Sequence, residues 1–483
     1  MKKRNALVPV ILILALILVG LLVFLILREN REENSPTVPT TETTVLTTQT
    51  TAPTTQTTAP TTVPTQPPTT VPPTTVPPET EPTKPEGLMA MGTIHITTGG
   101  WVSQTYSDAT VRAEAEFGSV EEQPAQIRIR GYSSTWTKKK AYNIKFTEKV
   151  DLFGMGEGKK WCLIANAYDK TLLRNSIGME FAEKLRLNYV SSTQLCKVYM
   201  DGTYIGVYTA MEPADEGRNR VNIDLDAGDF LLERNKNRKE AGVYYIATNG
   251  GLRFELRDPE TPDGVQYGAI TELVNQAEAA IQTLDHKLYR EYIDIPSFVD
   301  FYVFQELFKD IDFGQYSTRY YMQDGILYAG PPWDMDLTMG NVSKRSGEWK
   351  YWDYNNQSES TDQSGDSARG FWAKKDFYMW LCQDEWFMRV VRERWREIRP
   401  LAENLVKDTK LGQNRLDVYV QTYLEDMKTN YTEAKWPLGW PAGRLENQSP
   451  AKTYEGNVEI LRDWLQRRMD WLDSQWLKNP KEG

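Results

Sequence analysis

Hydrophobic and polar positions alternate with a period of two where the folded part of the chain begins. The stretches "GTIHITT", "ATVRAEAEF", "AQIRIRG" and "AYNIKF" all lie within residues 92–146. Such alternation is typical of strands with one buried face. Two further alternating stretches, "TQLCKVYM" and "TYIGVYTAME", flank an Asp-Gly dipeptide at 201–202, which predicts a β-hairpin. The pattern therefore predicts a β-rich first half of the folded region.

The hydrophobic period later changes to that of helices. Apolar residues within 169–186 keep helical spacing, and Asp169 or Thr171 can cap this helix. The other predicted helices are 268–293, 296–309 and about three Trp-rich ones within 375–478. One stretch inside this region, "STRYYMQDGILYAGPPWDMDL", predicts two strands around an Asp-Gly turn. The order of elements predicts an α+β architecture with two lobes and a cleft between them.

An uncharged run occupies residues 6–27, and at 1.5 Å per residue it makes about 33 Å of helix. Basic residues precede the run, so the positive-inside rule predicts a cytoplasmic segment at 1–5 and an extracellular remainder. We expect an uncleaved signal anchor and a single-pass protein of the bacterial cell membrane. A cleaved signal peptide is the alternative, although no A-x-A-like site follows the run.

Thr and Pro dominate residues 28–87, which cannot bury apolar surface and therefore predict a disordered linker that acts as a stalk. The remaining residues, 88–483, are enough for a two-lobed domain, with a lobe boundary expected near 213–265. The net charge is −10 and no long basic tract is present. This charge argues against nucleic acid as a partner.

Few residue types are available for chemistry in this chain. The cysteines, Cys162, Cys196 and Cys382, are widely spaced, and the two histidines, His95 and His286, are isolated. Zinc sites and Ser-His or Cys-His catalysis are therefore disfavoured. Any catalysis or ligand binding must therefore use carboxylates, lysines, arginines and hydroxyls.

Two carboxylates, Asp334 and Asp336, stand inside the apolar stretch "GPPWDMDLTMG". In a strand they would share one face with their Cα atoms about 7 Å apart. Like charges so placed repel each other unless a cation lies between them, and oxygen ligands suit Mg²⁺ or Mn²⁺. The pair therefore predicts a metal site, with an exposed edge strand as the alternative.

A second candidate segment, "RIRGYSSTWTKKKAYNIKF" at 128–146, combines a strand, a turn and a returning strand. The turn amides, the serines and Arg130 could hold phosphate oxygens. Lys145 lies between two apolar residues of the returning strand. The three lysines at 138–140, in contrast, are expected to be solvated. An ordinary hairpin with a basic rim explains the same pattern.

Two more segments carry charges that need an explanation. Arg174 lies on the predicted helix 169–186, where solvent-facing salt bridges are the alternative. Asp310 and Asp312 follow an apolar helix, although acids oppose the dipole at a helix C-terminus. The alternative for this second segment is a loop that caps the helix and carries acids on the surface.

The chain resembles the CotH kinase family, the atypical secreted kinases similar to spore coat protein H. The resemblance runs from about residue 92 to 475, and the motifs that carry it are "RIRGYSSTWTKKKAYNIKF", "GMGEGKKWCLIANAYDKTLLRNSIGMEFA", "VYMDGTYIGVYTAMEPADEGRNRVNI", "ELFKDIDFGQYSTRYY" and "PPWDMDL". It implies a two-lobed, atypical protein-kinase-like fold, with a β-rich N-terminal lobe and an α-rich C-terminal lobe after the transmembrane helix and the stalk. It also implies ATP- and Mg²⁺- or Mn²⁺-dependent phosphoryl transfer to a hydroxyl of a secreted or cell-surface protein.

The resemblance assigns roles residue by residue. It implies that Asp312 and Lys145 are catalytic and that Asp334 and Asp336 bind the metal. The residues it implies for nucleotide binding are Arg130, Lys145, Arg174, Asn175 and the hinge-like Met211 and Glu212.

Two other functions fit the composition. A glycoside hydrolase also uses paired carboxylates, usually about 5 to 9.5 Å apart, and aromatic residues. A cell-wall or polysaccharide-binding module could use an inactive kinase-like fold. The sequence leaves the oligomeric state open.

Overall fold

The computed structural model describes residues 87–341, 368, 371, 376–438 and 451–477. Contacts between residues group 81–483 into one compact unit, and the other unit, Met1–Thr80, lies outside the described residues. The predicted anchor at 6–27 and the linker up to residue 86 lie outside them too. No helix in the described part of the chain combines the length and the apolar character that crossing a bilayer requires. This finding contradicts the predicted single-pass membrane localisation with its extracellular domain.

Seven strands form a closed barrel in the order β1-β2-β3-β4-β5-β7-β6. The barrel closes because β6 pairs with β1 in parallel, with Ile94 opposite Val198. Its interior is filled by the alternating apolar residues, among them Ile127, Ile144 and Trp161. The strands are β1 Gly92–Thr98, β2 Ser107–Glu114, β3 Val120–Ile129, β4 Tyr142–Asp151, β5 Glu157–Ile164, β6 Thr193–Met200 and β7 Thr203–Met211.

A second sheet of five strands has the order β12-β11-β8-β10-β9. Its strands are β8 Phe230–Arg234, β9 Tyr245–Ala247, β10 Arg253–Asp258, β11 Arg319–Gln323 and β12 Ile326–Ala329. The sheet therefore joins strands that come before and after the first long helices of the chain.

Helices pack against both the second sheet and the barrel. They are α1 Arg174–Ala182, α2 Gly264–Gln282, α3 His286–Tyr289, α4 Ile295–Phe308, α5 Tyr378–Leu381, α6 Glu385–Glu403, α7 Arg415–Thr432 and α8 Tyr454–Trp476. In α4 every residue from Ser297 to Phe308 is buried, which is typical of a central helix. Its Glu306 pairs with Arg468 of α8 at 2.8 Å, and both side chains are fully buried. The α4 helix thus forms the axis of the larger hydrophobic core.

The predicted α+β architecture, two-lobed and kinase-like after a transmembrane helix, is wrong as stated. The β-rich part closes on itself, and the segment expected to separate two lobes, 213–265, holds β8 to β10 of the second sheet. Alternation of apolar residues is the same in an open sheet and in a barrel, because it reports a buried face and not the partner strand. The β1–β6 pairing that closes the barrel therefore could not be read from the pattern.

Candidate functional site

A cavity of about 190 Å³ lies where the rim of the barrel meets the second sheet. Its walls come from the turn after β3, the segment after β5, the loop after α4 and the turn after β12. Asp312, Asp334 and Asp336 all line it. We call it the acidic cavity.

The two aspartates after β12 do not lie on a strand. Met335–Leu337 form a short 3₁₀ turn, and Asp334 before it has a left-handed backbone with φ of 63°. Trp333, Met335 and Leu337 are buried, whereas Asp334 is exposed and Asp336 is half-buried. The predicted strand is wrong here, but the turn directs both carboxylates into one cavity.

Asparagine side chains stabilise this turn through hydrogen bonds. The backbone N–H of Met335, between the two aspartates, donates to Oδ1 of Asn175 at 3.0 Å. The Nδ2 of Asn175 donates to Asn166 at 2.9 Å, and Asn166 in turn donates to Thr209 of the barrel at 2.8 Å. The structure therefore places Asn175, predicted from the resemblance to bind nucleotide, as a support for the aspartate turn.

Arg174 lies on the same side of the turn and is not among the residues that line the acidic cavity. It is buried and ion-paired with Asp169. Its Nε donates to the carbonyl of Thr338 at 3.1 Å, and its Nη2 donates to that of Met339 at 3.3 Å. These bonds tie the start of α1 to the residues that follow the aspartate turn.

The loop after α4 brings two further acids to the site. Asp310 is buried, and its Oδ1 accepts the N–H of Asp312 at 2.9 Å. Its other oxygen, Oδ2, is buried and has no hydrogen-bond partner among the described residues. Ser317, on the same loop, donates to Oδ2 of Asp334 at 3.4 Å.

The electrostatics of these acids favour a bound cation. Burial raises the pKa of Asp312 to about 7, the charge of Asp334 adds to the rise, and the Arg238 guanidinium opposes it. Burial, with the neighbouring aspartate charges, also raises the pKa of Asp310 and of Asp336 well above the ordinary range. Carboxyls that repel one another in a partly dry site ionise readily only when positive charge is supplied.

Arginines form another part of the wall of the acidic cavity, which is lined by Arg130, Arg238, Arg257 and Arg319. Two of them are neutralised, because Arg257 pairs with Glu255 at 2.8 Å and Arg319 pairs with Glu233 at 3.1 Å. For Arg130 and Arg238 no ion pair is found within the described residues. Their guanidinium groups instead lie over aromatic rings, in the case of Arg130 over Trp333 at 5.2 Å.

A second cavity of about 330 Å³ shares this wall. We call it the basic cavity, and it is lined by Tyr106, Arg128, Arg130, Asn143, Lys145, Lys160, Trp161, Cys162, Pro213, Asp215, Arg257, Glu260, Arg319 and Trp333. Lys145 is exposed at its rim, and the structure does not bring it to the three aspartates. The two cavities are therefore neighbours, with Arg130, Arg257, Arg319 and Trp333 lining both.

The lysine run 138–140 departs from its prediction. Lys139 is buried, and its Nζ donates to the carbonyl of Val207 and to Asn430 Oδ1 at 2.8 Å. Burial lowers the pKa of this amine well below its usual value. Lys140 donates to two carbonyls of its own turn. The expectation that these lysines are solvated is wrong for Lys139.

The hinge-like residues lie beside the basic cavity without lining it. Met211 is the buried last residue of β7 and pairs with Cys162 of the neighbouring strand β5. Glu212 is buried and accepts the N–H of Ser192 at 3.2 Å. The next residue, Pro213, does line the basic cavity.

Sequence reasoning missed Arg238, Arg257, Arg319 and Glu233. They come from different strands and loops of the second sheet, and no local spacing marks them. Trp333, next to the aspartate pair, was the available signal, because an aromatic face attracts a guanidinium group, and Arg130 and Arg319 both lie over its ring.

A cavity lined by clustered carboxylates and by arginines is typical of sites that bind phosphate together with a divalent cation. A family model described as CotH kinase protein matches residues 127–472. The chain therefore belongs to the CotH kinase family, as the resemblance in its motifs predicted. A search of curated proteins finds no match.

Proposed function

We propose that this chain is a kinase that transfers the γ-phosphoryl group of ATP to a hydroxyl of a protein acceptor with the help of Mg²⁺ or Mn²⁺. The observation that carries the proposal is the convergence of Asp312, Asp334 and Asp336 on one cavity that shares an arginine wall with a second, basic cavity. Family membership supports a kinase-type activity.

The donor set fits a hard divalent cation. Within the described residues no group of three or more His, Cys, Asp or Glu is arranged to hold a metal by itself. Magnesium at kinase sites typically uses one or two carboxylates and completes its shell with phosphate oxygens and water. Asp334 and Asp336 would hold it, and the ion would neutralise charge on the phosphates and on these carboxyls.

The basic cavity fits the rest of the nucleotide. Arg130, which lines both cavities and forms no ion pair within the described residues, would contact the phosphate chain, because guanidinium groups match phosphate oxygens in charge and geometry. Lys145 at the rim adds a further cation. The apolar part of this cavity, near Cys162 and Pro213, is available for the base.

Asp312, which lines the acidic cavity beside Asp334, would accept the hydroxyl proton. The acceptor oxygen bonds to the γ-phosphorus, the bond from that phosphorus to the β–γ bridging oxygen breaks, the hydroxyl proton passes to Asp312, and ADP leaves. A raised pKa suits a general base that must take a proton near neutral pH.

A glycoside hydrolase is the less fitting candidate for this geometry. Its two carboxyls would flank a sugar ring from opposite sides. Here Asp334 and Asp336 come from one turn, and arginines line the same cavity.

The test is transfer of radiolabelled γ-phosphate from ATP by the full chain, to itself and to added proteins, with Mg²⁺ or Mn²⁺ present. Asp312→Asn should lower the rate about 100-fold or more, because it removes the general base. Asp226→Asn, at an exposed turn that lines neither cavity, is the matched control and should retain full activity. Equal activity in wild type and Asp312→Asn would contradict the assignment of Asp312.

A further inference from the structure

Arg238 occupies a position that neither the motifs nor the nucleotide assignment explains. It lies on the loop between β8 and β9 and lines the acidic cavity but not the basic one. The other three arginines of the wall either line both cavities or are ion-paired. Arg238 therefore belongs to the end of the site where Asp312 and Asp334 lie.

Two tyrosine rings hold the Arg238 side chain. Its Cζ lies 4.3 Å from the ring centroid of Tyr132 and 4.1 Å from that of Tyr316. Tyr132 comes from the turn after β3, and Tyr316 comes from the loop after α4, so the arginine connects these two segments. The Tyr316 hydroxyl bonds to Asn237, the residue next to Arg238, and the Arg238 backbone N–H donates to Asn235 at 2.8 Å.

The Arg238 guanidinium is held in place by the two rings, but no carboxylate within the described residues pairs with it. In the described part of the chain it forms no ion pair, and the hydrogen bond that the residue makes there uses its backbone. Ring faces hold a guanidinium in place without using its N–H donors, which lie in the plane of the group. Its charge nevertheless acts on Asp312, whose pKa it lowers against the effect of burial. The donors of a half-buried cation are thus left available beside the proposed general base.

We propose that Arg238 binds the phosphoryl group while it passes from ATP to the acceptor, and that Tyr132 and Tyr316 hold it ready for this contact. The inference rests on the proposed kinase function. In the transfer, the γ-phosphorus leaves the bridging oxygen of ADP and bonds to the acceptor oxygen, whose proton moves to Asp312. Negative charge on the three oxygens of the moving group is met by the Arg238 donors, which remain protonated throughout.

The position of Arg238 in the acidic cavity, where its charge acts on Asp312, favours this ligand over an acidic side chain of the acceptor. A positioned arginine at a moving phosphoryl group stabilises the transition state more than the bound nucleotide, so it acts on the rate and little on ATP affinity. An arginine that recruits an acidic acceptor would act on acceptor affinity instead.

The test compares wild type, Arg238→Gln and Arg238→Lys, each as the full chain. Two quantities are measured: the single-turnover rate of ATP hydrolysis, with water as the acceptor, and the Kd for Mg²⁺–ATP. We expect Arg238→Gln to lower the rate by roughly 10²- to 10³-fold, with the Kd unchanged within about threefold. Arg238→Lys should recover part of the rate, because it keeps the charge but loses the planar fork.

A second readout is binding of ADP with Mg²⁺ and aluminium fluoride, a mimic of the moving phosphoryl group. Wild type should bind this mixture more tightly than Mg²⁺–ADP alone, and Arg238→Gln should lose that gain. Arg290→Gln is the matched control, since Arg290 also lies over an aromatic ring, at 5.7 Å from Trp386, but is exposed and lines neither cavity.

The outcomes distinguish three roles for Arg238: contact with the moving phosphoryl group, recruitment of the acceptor and binding of the nucleotide. An unchanged hydrolysis rate in Arg238→Gln, with weaker binding of acidic acceptors, would overturn the proposal in favour of acceptor recruitment. A weakened Kd for Mg²⁺–ATP with an unchanged rate would make Arg238 a nucleotide ligand and also overturn it. If wild type itself neither binds nor hydrolyses Mg²⁺–ATP, the proposed function fails, and the proposal for Arg238 fails with it.

Discussion

At the scale of single residues, the site contains acidic side chains whose ionised forms are unfavourable in the folded protein. Burial and mutual repulsion raise the pKa values of Asp310, Asp312 and Asp336. A carboxyl whose pKa is higher in the folded than in the unfolded chain stabilises the fold at low pH and loses that contribution as the pH rises. These acids therefore make the fold less stable at neutral pH than at low pH, and unfolding measured at several pH values tests this.

The first residue-scale prediction concerns Asp312. Its pKa rises from 3.8 to about 7 on folding, so its favourable contribution is complete below about pH 4 and is lost as the pH rises through 7. The metal-free wild type should therefore lose stability over this range relative to Asp312→Asn, which cannot titrate. Denaturant unfolding of both proteins at several pH values measures the difference, and parallel pH curves would contradict the raised pKa.

The second residue-scale prediction concerns Lys145. Loss of its charge-assisted contact with a phosphate should weaken ATP binding roughly 10-fold in Lys145→Ala and leave the fold intact, because the side chain is exposed. Lys149 is exposed on the same strand and lines neither cavity, so Lys149→Ala is the matched control. Lys139 cannot serve as this control, since it is buried and bonded to Asn430. Equal Kd values for the two variants would show that Lys145 is a rim charge without a nucleotide contact.

At the scale of elements, α1 acts as a support for the aspartate turn. Asn175 on this helix accepts the only backbone N–H that lies between Asp334 and Asp336 in the chain, and the asparagine is itself anchored to the barrel through Asn166. The helix, the turn and β7 are therefore joined by one hydrogen-bonded row. A change in this row should disturb the aspartates without touching them.

The element-scale prediction is that Asn175→Ala destabilises the protein by about 1–3 kcal/mol, because it leaves the buried N–H of Met335 without an acceptor. It should also lower the transfer rate by more than the loss of folded protein explains. Thermal unfolding and single-turnover transfer measure the two effects. The exposed Asn222 provides the control, Asn222→Ala. A destabilised variant with a normal rate per folded molecule would show that the row supports the fold alone.

Local elements were largely predictable from the sequence, since each depends on a short pattern. The hairpin at Asp201-Gly202 joins β6 and β7 as expected, and the helix expected at 296–309 is α4. The predicted helix 169–186 instead begins at Arg174, because the side chain of Asp169 forms a turn with the backbone of Thr171 before it. The left-handed backbone at Asp334 also escaped prediction, because a Trp-Asp-Met-Asp run has the alternation of a strand.

At the scale of the whole molecule, the site exists only where the barrel rim and the second sheet meet. Arg130 follows β3, Arg238 follows β8, Asp312 follows α4 and Asp334 follows β12. The sequence identified three of these residues by local pattern and family resemblance. It could not identify Arg238, because only the pairing of β8 with β11 brings its loop to the aspartates. The barrel closure was missed for the same reason, since the partner of β1 lies far along the chain.

The central claim is that Asp334 and Asp336 are paired in order to hold a divalent cation with ATP, and one measurement tests it without knowledge of the acceptor. It is the free energy of unfolding of wild type and of the double variant Asp334→Asn/Asp336→Asn, each with and without Mg²⁺–ATP. Without ligand, the double variant should be as stable as wild type or more so, because the repulsion between the two carboxyls is gone. At a ligand concentration 100 times Kd, wild type should gain about 2.7 kcal/mol and the variant nothing. An equal gain in both proteins would contradict the claim.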